Sequence, residues 1–460
     1  MTGVAPAPTA RPARRTAPTY RPRAPAVAFG LFLVLTGVLL VRPTEIIPSL
    51  VGVPVFQVVI LTCLAVSFPW VLAQLNPAAL ATRPITVCVL GLAAAVPLSL
   101  VTHGAIDDSV GPTVEFFKVV AYYLVLMAVV DTPQRLRTLM AWLLGCFALH
   151  TALALMHFHG LADIPAMNPV YDFDTNKETG QVVAVARMCG VGLFGNPNDL
   201  SRIVVVGIAL ALYLMGELPR VAWPILVGLA GMFGFALMET HSRGGFVDLA
   251  ITLLILLQLR VGGKKAAVLG LVAVPVFLAI FAGRQTDLTT DEGTGQQRIQ
   301  LWVEGFAAVR ETPILGIGAG QYRAITDGLG THNSFVECYV ELGLVGGTLF
   351  LAAVYLALWQ TYRLGPARMS AVPEALARTR PYLLAIVAGY AIGMLTSSRN
   401  YLMPTYLMLG LAAAYQQLAW VAVPRTIPRP NGRIVFHLAA VSAIVLIGLY
   451  AFARMSVRWQ

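Results

Sequence analysis

The strongest constraint on this chain is the series of apolar runs that follows residue 25. Several runs reach or exceed the roughly 18–20 residues that a helix needs to cross the hydrocarbon core of a bilayer. Of the 460 residues, 57% are hydrophobic and only 12% are charged, and this charged fraction is about half that of a typical soluble domain. The sequence therefore predicts an all-α, polytopic integral membrane protein.

Thirteen runs are candidate spans, which predicts about 12–13 transmembrane helices in a single domain over residues 26–455. The runs are 25–41, 51–74, 84–101, 113–130, 138–157, 200–216, 221–239, 245–259, 266–282, 344–360, 382–397, 402–422 and 434–453. The eighth is short, and an apolar pattern defines the ends of a helix only to within a few residues.

Residues 1–25 differ from the rest of the chain, because they combine Pro and Ala with five arginines. Such a segment cannot bury a core, so we expect it to be disordered. A basic leader before a first span is typical of a cytoplasmic N-terminus. No small-residue cleavage site follows the first apolar run, which predicts an uncleaved first helix. Because five of the arginines lie in this leader, the net charge of +10 does not indicate nucleic-acid binding.

The distribution of Lys and Arg between the loops gives the orientation. Basic residues such as Arg135, Arg260 and Lys264 fall on the same predicted cytoplasmic side. Two long loops, at about 158–199 and 283–343, then lie on the periplasmic side. The second loop contains helical periodicity interrupted by glycines, and long loops are often functional. We expect a periplasmic cap of small helices there.

The cysteines and histidines do not predict a metal site or a disulfide framework. Cys63, Cys88 and Cys146 lie in apolar runs, whereas Cys189 and Cys338 lie in loops, and their spacing leaves open whether they pair. We find no His-x-x-x-His pair and no phosphate-binding loop of the Walker type. The grouping of His150, His157 and His159 is a weak exception. We therefore expect neither a metal nor another cofactor.

Four polar clusters lie on the predicted periplasmic face. They are Asn196, Asn198, Asp199 and Arg202 in GNPNDLSR; His241, Ser242 and Arg243 in THSR; Arg298 in QQRIQLW with Gly316, Gly318, Gly320 and Arg323 in GIGAGQYR; and His332, Asn333, Glu337 and Glu341 in THNSFVECYVE. Ionisable residues at membrane depth are costly and usually face a cavity or a partner. A guanidinium group binds phosphate oxygens in a two-pronged fork. Converging arginines therefore suit a diphosphate whose lipid tail stays in the bilayer, although each arginine alone could also pair with a nearby carboxylate.

His332 is the candidate base, because Asn333 and Glu337 can hold a neutral imidazole in one tautomer. Glu337 and Glu341 are four residues apart and share a helix face. They can equally favour a helix N-terminus electrostatically, so the role of Glu341 stays open. The glycines of GIGAGQY permit close backbone approach or a positive φ.

In this order, the clusters resemble the O-antigen ligase and O-antigen polymerase superfamily. The matching elements are Gly195 to Asn198, Ser242-Arg243, Arg298 to Trp302, Gly316 to Gly320, and His332-Asn333 with Glu341 and Gly343. The resemblance covers residues 190–350, and its motifs are specific only as an ordered set. It implies a GT-C-like fold and a metal-independent glycosyltransferase of the bacterial inner membrane, with a periplasmic active site.

The resemblance also implies roles for particular residues. His332 would activate the acceptor hydroxyl, supported by Asn333 and Glu337, and Arg202, Arg243, Arg298 and Arg323 would hold the diphosphate. Asn196, Asn198, Ser242, Gly318, Gly320 and Glu341 would support the site. The implied partners are an undecaprenyl-diphosphate-linked glycan as donor, lipid A core or another glycan or protein as acceptor, and membrane lipids.

Two functional alternatives remain at this point. Within the family, the same residues serve ligation to lipid A core, which we favour, as well as polymerisation and protein glycosylation. From another class, a transporter of lipid-linked oligosaccharide would need inverted repeats and charges near the midplane, and the sequence shows neither.

Overall fold

The computed structural model describes residues 23–102, 106–175, 182–266, 268–271, 294–326, 328–365, 372–423 and 431–457. Residues 1–22 of the leader that we expect to be disordered lie outside this part, as does most of the predicted span 266–282.

Long helices make up most of the described chain. They are α1 (Ala26–Val41), α2 (Val55–Gln74), α3 (Pro84–Val101), α4 (Ile106–Val129), α5 (Pro133–Phe158), α6 (Pro197–Glu217), α7 (Trp223–Glu239), α8 (Arg243–Val261), α9 (Thr294–Glu311), α10 (Ser334–Arg363), α11 (Glu374–Gly393), α12 (Met403–Ala422) and α13 (Gly432–Ser456). Two single-turn helices, Pro43–Ile46 and Pro77–Leu80, and several 3₁₀ turns lie between them.

Ten helices in the described ranges are long and apolar enough to cross a membrane. The predicted fold class, an all-α polytopic membrane protein, is thereby confirmed. The predicted spans 382–397 and 402–422 form α11 and α12, which are too polar to be among the ten. Helix α12 can carry polar groups because the Gln416 amide donates to the carbonyls of Leu356 and Ala357 in α10, at 3.2 Å each.

The helices differ in how far the bundle encloses them. In the apolar window of α6, 83% of the residues are buried inside the protein, against 22% for α2 and α7 and 6% for α13. Helix α6 packs against α5, α7, α8 and α11. Its central place lets α6 carry Asp199 and Arg202 without exposing either charge to lipid.

The first long loop contains a β-hairpin that the sequence analysis did not predict. Strand β1 (Val170–Thr175) pairs antiparallel with β2 (Val182–Arg187), with Val170 opposite Arg187. A single hairpin is marginal in water, so its packing against the helices matters. In the second loop, α9 is followed by the 3₁₀ turn Tyr322–Ile325, in line with the predicted helical cap. All five cysteines are buried and free, so Cys189 and Cys338 are not paired.

Helix α10 begins at Ser334 and is kinked at Gly343, whose φ of 63° and ψ of −163° are not helical, so the span predicted from 344 is its second segment. The Asn333 side chain caps it, because Oδ1 accepts the backbone N–H groups of Phe335 at 3.0 Å and Val336 at 3.2 Å. A cap of this kind typically contributes about 1 kcal/mol to helix stability. The polar stretch that follows Asn333 is therefore helical and not a loop, and the kink at Gly343 separates it from the predicted span.

Candidate active site

The GNPN segment starts α6 and joins three parts of the protein. Pro197 occupies the first helical turn, where the missing N–H has no cost, and Asn196 Oδ1 accepts the N–H of Asn198 at 2.9 Å. Asn198 Oδ1 in turn accepts hydrogen bonds from Ser242 Oγ at 2.8 Å and Arg187 Nη2 at 3.0 Å. Asn198 thus fixes the start of α8 and the end of β2 against α6.

The predicted tight turn lies between α7 and α8. His241 has a φ of 45°, and Ser242 caps α8 by accepting the N–H of Gly245 at 3.1 Å. Ser201 of α6 donates to Ser242 Oγ at 3.1 Å. A β-carbon at Gly245 would lie only 2.4 Å from Ser201 Oγ, so glycine is required for this approach. Arg243 follows the cap at the first position of α8.

Arg202 lies one turn into α6 and is only 3% exposed. Its guanidinium pairs with Asp199 at 2.9 Å and with Asp248 at 3.5 Å. It also donates to the carbonyl of Gly393 at 2.8 Å and to Thr396 Oγ1 at 3.2 Å. Protein groups therefore surround Arg202, and this geometry favours a positioning role over direct contact with a diphosphate.

The loop between α11 and α12 is a part of the site that sequence reasoning missed. Arg399 in this loop pairs with Asp199, and burial lowers the pKa of Arg399 to about 10. Ser398 Oγ lies 3.1 Å from Thr331 Oγ1. The loop therefore contacts both Asp199 in the first turn of α6 and the residues just before α10. The sequence did contain an indication of this part of the site, because the polar segment TSSRN lies between two apolar runs at the predicted periplasmic end.

His332 lies directly before the cap of α10, in the left-handed region with a φ of 50°. A residue other than glycine costs about 1–3 kcal/mol there and persists only where its surroundings fix it. Thr331 and Asn333 on either side are fully buried. Thr331 Oγ1 accepts the N–H of Asn333 at 3.1 Å and donates to Glu337 Oε2 at 2.9 Å. These contacts hold the backbone in place, whereas His332 itself keeps part of its surface accessible.

Positive charge dominates the electrostatics around His332. Burial among protein atoms and the charges of Arg298 and Arg323 lower the pKa of His332 to about 4. Burial and the charges of Arg187, Arg202 and Arg243 likewise lower the pKa of Arg298. Among the described residues, no carboxylate lies within ion-pair distance of Arg298 or Arg323. The cluster therefore pairs a neutral imidazole with an excess of guanidinium charge.

The glycine segment packs on α10 through its backbone. Gly316, Gly318 and Gly320 all have a positive φ, at 70°, 109° and 77°. The N–H of Gly318 donates to the carbonyl of Glu341 at 3.0 Å, and a β-carbon at Gly316 would lie 2.4 Å from the Glu341 carbonyl carbon.

Glu341 is 2% exposed, and its Oε1 accepts the N–H of Tyr322 at 3.1 Å. Its role is thus to hold the turn that carries Arg323, next to the glycine segment. In the described ranges, no group of three or more His, Cys, Asp and Glu residues is arranged to hold a metal ion.

The structure thus brings the predicted clusters to one end of the bundle, where α6, α8 and α10 begin; we call it the site end. The comparisons with known proteins bear on the same region. No curated protein matches the chain. The family model described as O-antigen ligase, Wzy_C, matches residues 227–351, which include Ser242, Arg243, Arg298 and His332 but neither Arg202 nor the GNPN segment. The resemblance is confirmed at the level of the family, because residues 227–351 of this membrane protein match the O-antigen ligase family model.

Proposed function

We propose that this protein is a membrane glycosyltransferase that moves a glycan from a polyprenyl diphosphate, specifically undecaprenyl diphosphate, to an acceptor hydroxyl at the periplasmic face of the bacterial inner membrane. The family match supports a transferase of the ligase and polymerase type. One observation carries the finer proposal: His332 is held in a strained conformation beside Arg298 and Arg323.

The transfer needs two kinds of group. The acceptor hydroxyl oxygen attacks the anomeric carbon, and the bond from that carbon to the diphosphate oxygen breaks. The hydroxyl proton passes to the imidazole of His332, while the leaving diphosphate takes the electron pair. A positioned base accelerates such a step by about 10²–10⁴. Fixed positive charge placed where negative charge develops supplies the other large contribution.

The arginines differ in their suitability for binding the diphosphate. Arg298 and Arg323 make no ion pair within the described ranges, so their charge is open to an anion. Arg243 lies at the N-terminal end of α8, where the helix dipole also favours an anion. Arg202 instead positions Asp199 and, through it, Arg399.

We favour ligation of O-antigen to lipid A core, with glycan polymerisation and protein O-glycosylation as the alternatives. The acceptor distinguishes these activities, and the residues around His332 serve all of them. The alternative that is not an enzyme is a transporter of lipid-linked oligosaccharide. Transporter sites lie near the midplane of the bilayer, whereas the charge here is grouped at one end of the bundle.

Deletion of the gene followed by glycan analysis tests the assignment. Loss of long-chain lipopolysaccharide together with accumulation of full-length lipid-linked polymer is the result expected for a ligase. Accumulated single repeat units would identify a polymerase instead, and an unchanged glycan profile would contradict both. Activity of the purified protein should also survive EDTA, because arginines supply the positive charge; loss of activity that Mg²⁺ or Mn²⁺ restores would contradict this mechanism.

A further inference from the structure

A cavity lies at the end of the bundle opposite the site end. It measures about 520 Å³ and is walled by α6, α7, α8 and α11, with Met215, Trp223, Leu256, Arg260 and Tyr382 among its lining residues. Helix α8 runs from Arg243 at the site end to Arg260 at this cavity, which is roughly 26 Å at 1.5 Å per residue. We call this cavity the distal groove.

The walls of the distal groove are apolar, and its size falls within the range of roughly 300–1,000 Å³ that is usual for small-molecule sites. Trp223 stands at the start of α7, and its indole N–H donates to the carbonyl of Met215 at 3.0 Å, which fixes the ring in the wall. Helices α7 and α8 are exposed along much of their length. The groove is therefore accessible to a hydrocarbon chain from the surrounding bilayer.

The charge at the groove is positive, and the described residues provide no ion pair for it. The Arg260 guanidinium lies over the ring of Tyr382 at 5.4 Å, and no carboxylate of the described residues lies within ion-pair distance of it. Arg378 at the same end differs, because it pairs with Glu217 at 3.3 Å. Lys264 and Lys265 follow Arg260 and are exposed. An arginine that forms no ion pair within the described part of the chain, on an apolar groove with two lysines beyond it, is complementary to a lipid with an anionic headgroup.

We propose that the distal groove binds an anionic phospholipid, with an acyl chain against Trp223 and Leu256 and its phosphate at Arg260. Basic pockets between transmembrane helices commonly bind such headgroups, and a basic residue near the membrane surface attracts anionic lipid by about fivefold. The site is separate from the transfer chemistry and does not depend on it.

The groove contains its own reporter, because Trp223 forms part of the wall. The full-length protein is reconstituted in phosphatidylcholine vesicles that contain increasing fractions of brominated phosphatidylglycerol or brominated phosphatidylcholine. The Trp223 signal is the fluorescence of the wild type minus that of Trp223→Phe. We expect half-maximal quenching of this signal at an about fivefold lower fraction of the anionic lipid than of the neutral one.

Variants separate the headgroup contact from general changes at this end of the bundle. Arg260→Ala should remove the preference for the anionic lipid, and Arg260→Lys should keep part of it, because the charge remains while the fork is lost. Arg378→Ala is the matched control and should keep the preference, since Arg378 is already paired with Glu217. Each variant must first elute as the wild type does in detergent gel filtration.

Three results would overturn the proposal. Equal quenching by the two brominated lipids would remove the headgroup preference, and quenching by neither would show that no lipid enters the groove. Relief of quenching by a polyprenol without phosphate, at the same fraction, would assign the groove to a prenyl chain. None of these results bears on glycosyl transfer, so the two proposals fail independently.

Discussion

The hydroxyl of Ser334, two residues after His332, accepts the backbone N–H of Arg399 at 2.8 Å and donates to the carbonyl of Ser397 at 2.6 Å. This exchange ties the loop between α11 and α12 to the first turn of α10. Since Arg399 also pairs with Asp199 of α6, the candidate base and the GNPN segment are coupled through one short loop.

His332→Ala should abolish transfer while leaving binding of the lipid diphosphate donor largely intact. Removal of a positioned base costs about 10²–10⁴ in rate, whereas the arginines that would bind the donor remain. Turnover and donor binding are measured on the purified variant after gel filtration shows a folded protein. Near-normal turnover by folded His332→Ala would remove the imidazole from the mechanism.

The pH dependence should report the charge around His332. A base works in its unprotonated form, so activity falls as the pH drops through its pKa, which is about 4 before the donor binds. A bound diphosphate offsets the charges of Arg298 and Arg323, so the pKa rises in the complex. The pH profile of kcat reports the complex, and that of kcat/KM reports the free enzyme. We therefore expect the acid limb of kcat to lie at higher pH than the acid limb of kcat/KM.

Arg323→Gln provides a check on this argument. The variant removes one of the charges that lower the pKa of His332, so the acid limb of kcat/KM should move to higher pH. A limb of kcat that coincides with or lies below that of kcat/KM would contradict the proposed effect of the donor.

Arg298→Ala should weaken donor binding as well as turnover, because its charge contacts the diphosphate in both the ground and the transition state. Arg298→Lys should recover only part of the loss, since an ammonium group does not reproduce the fork of the guanidinium. Binding of a labelled donor and initial rates are the measurements. Full recovery by lysine would show that charge alone suffices.

Arg202→Ala should behave differently and act mainly on stability. It leaves the buried carboxylate of Asp248 without its partner at 3.5 Å, and the loss of one partner of a buried pair costs about 3–5 kcal/mol. The thermal midpoint of unfolding in detergent should fall, and Arg202→Met with Asp248→Leu should recover part of the fall. A stable Arg202→Ala protein with weak donor binding would instead make Arg202 a diphosphate ligand.

Two glycines that share a positive φ should differ in their tolerance of alanine. Gly316→Ala places a β-carbon 2.4 Å from the Glu341 carbonyl carbon, whereas no atom lies within 4 Å of one at Gly320. Gly320→Ala should cost only the backbone strain, about 1–2 kcal/mol. Gly316→Ala should cost more and prevent normal folding, as judged by thermal unfolding and gel filtration. Equal effects would contradict the close packing of this segment on α10.

The orientation can be tested with cysteines at exposed positions. Leu329→Cys and Gln297→Cys lie near the candidate site, whereas Lys264→Cys lies beyond the distal groove. The five native cysteines are buried, so they should contribute little background. We expect an impermeant reagent to label the first two in intact cells and Lys264→Cys only after lysis. The reverse pattern would invert the topology.

The amino-acid sequence alone determined the class of the protein, because the cost of placing polar backbone in lipid leaves long apolar runs only one structure, the membrane-spanning helix. It also determined which polar segments could meet, since each follows or precedes a span at the same predicted end. The ordered elements from Ser242-Arg243 to Glu341 and Gly343 were sufficient to indicate the family.

Only the tertiary structure decided what each polar residue contacts. Arg202 and Arg298 have the same side chain, yet among the described residues only Arg202 pairs with carboxylates, because α6 lies in the centre of the bundle. Arg399 belongs to the site because it contacts Asp199 and Ser334, two residues that are distant from it in the sequence. Hydropathy is a property of each segment alone, whereas ion pairs and pKa values depend on which segments the fold brings together.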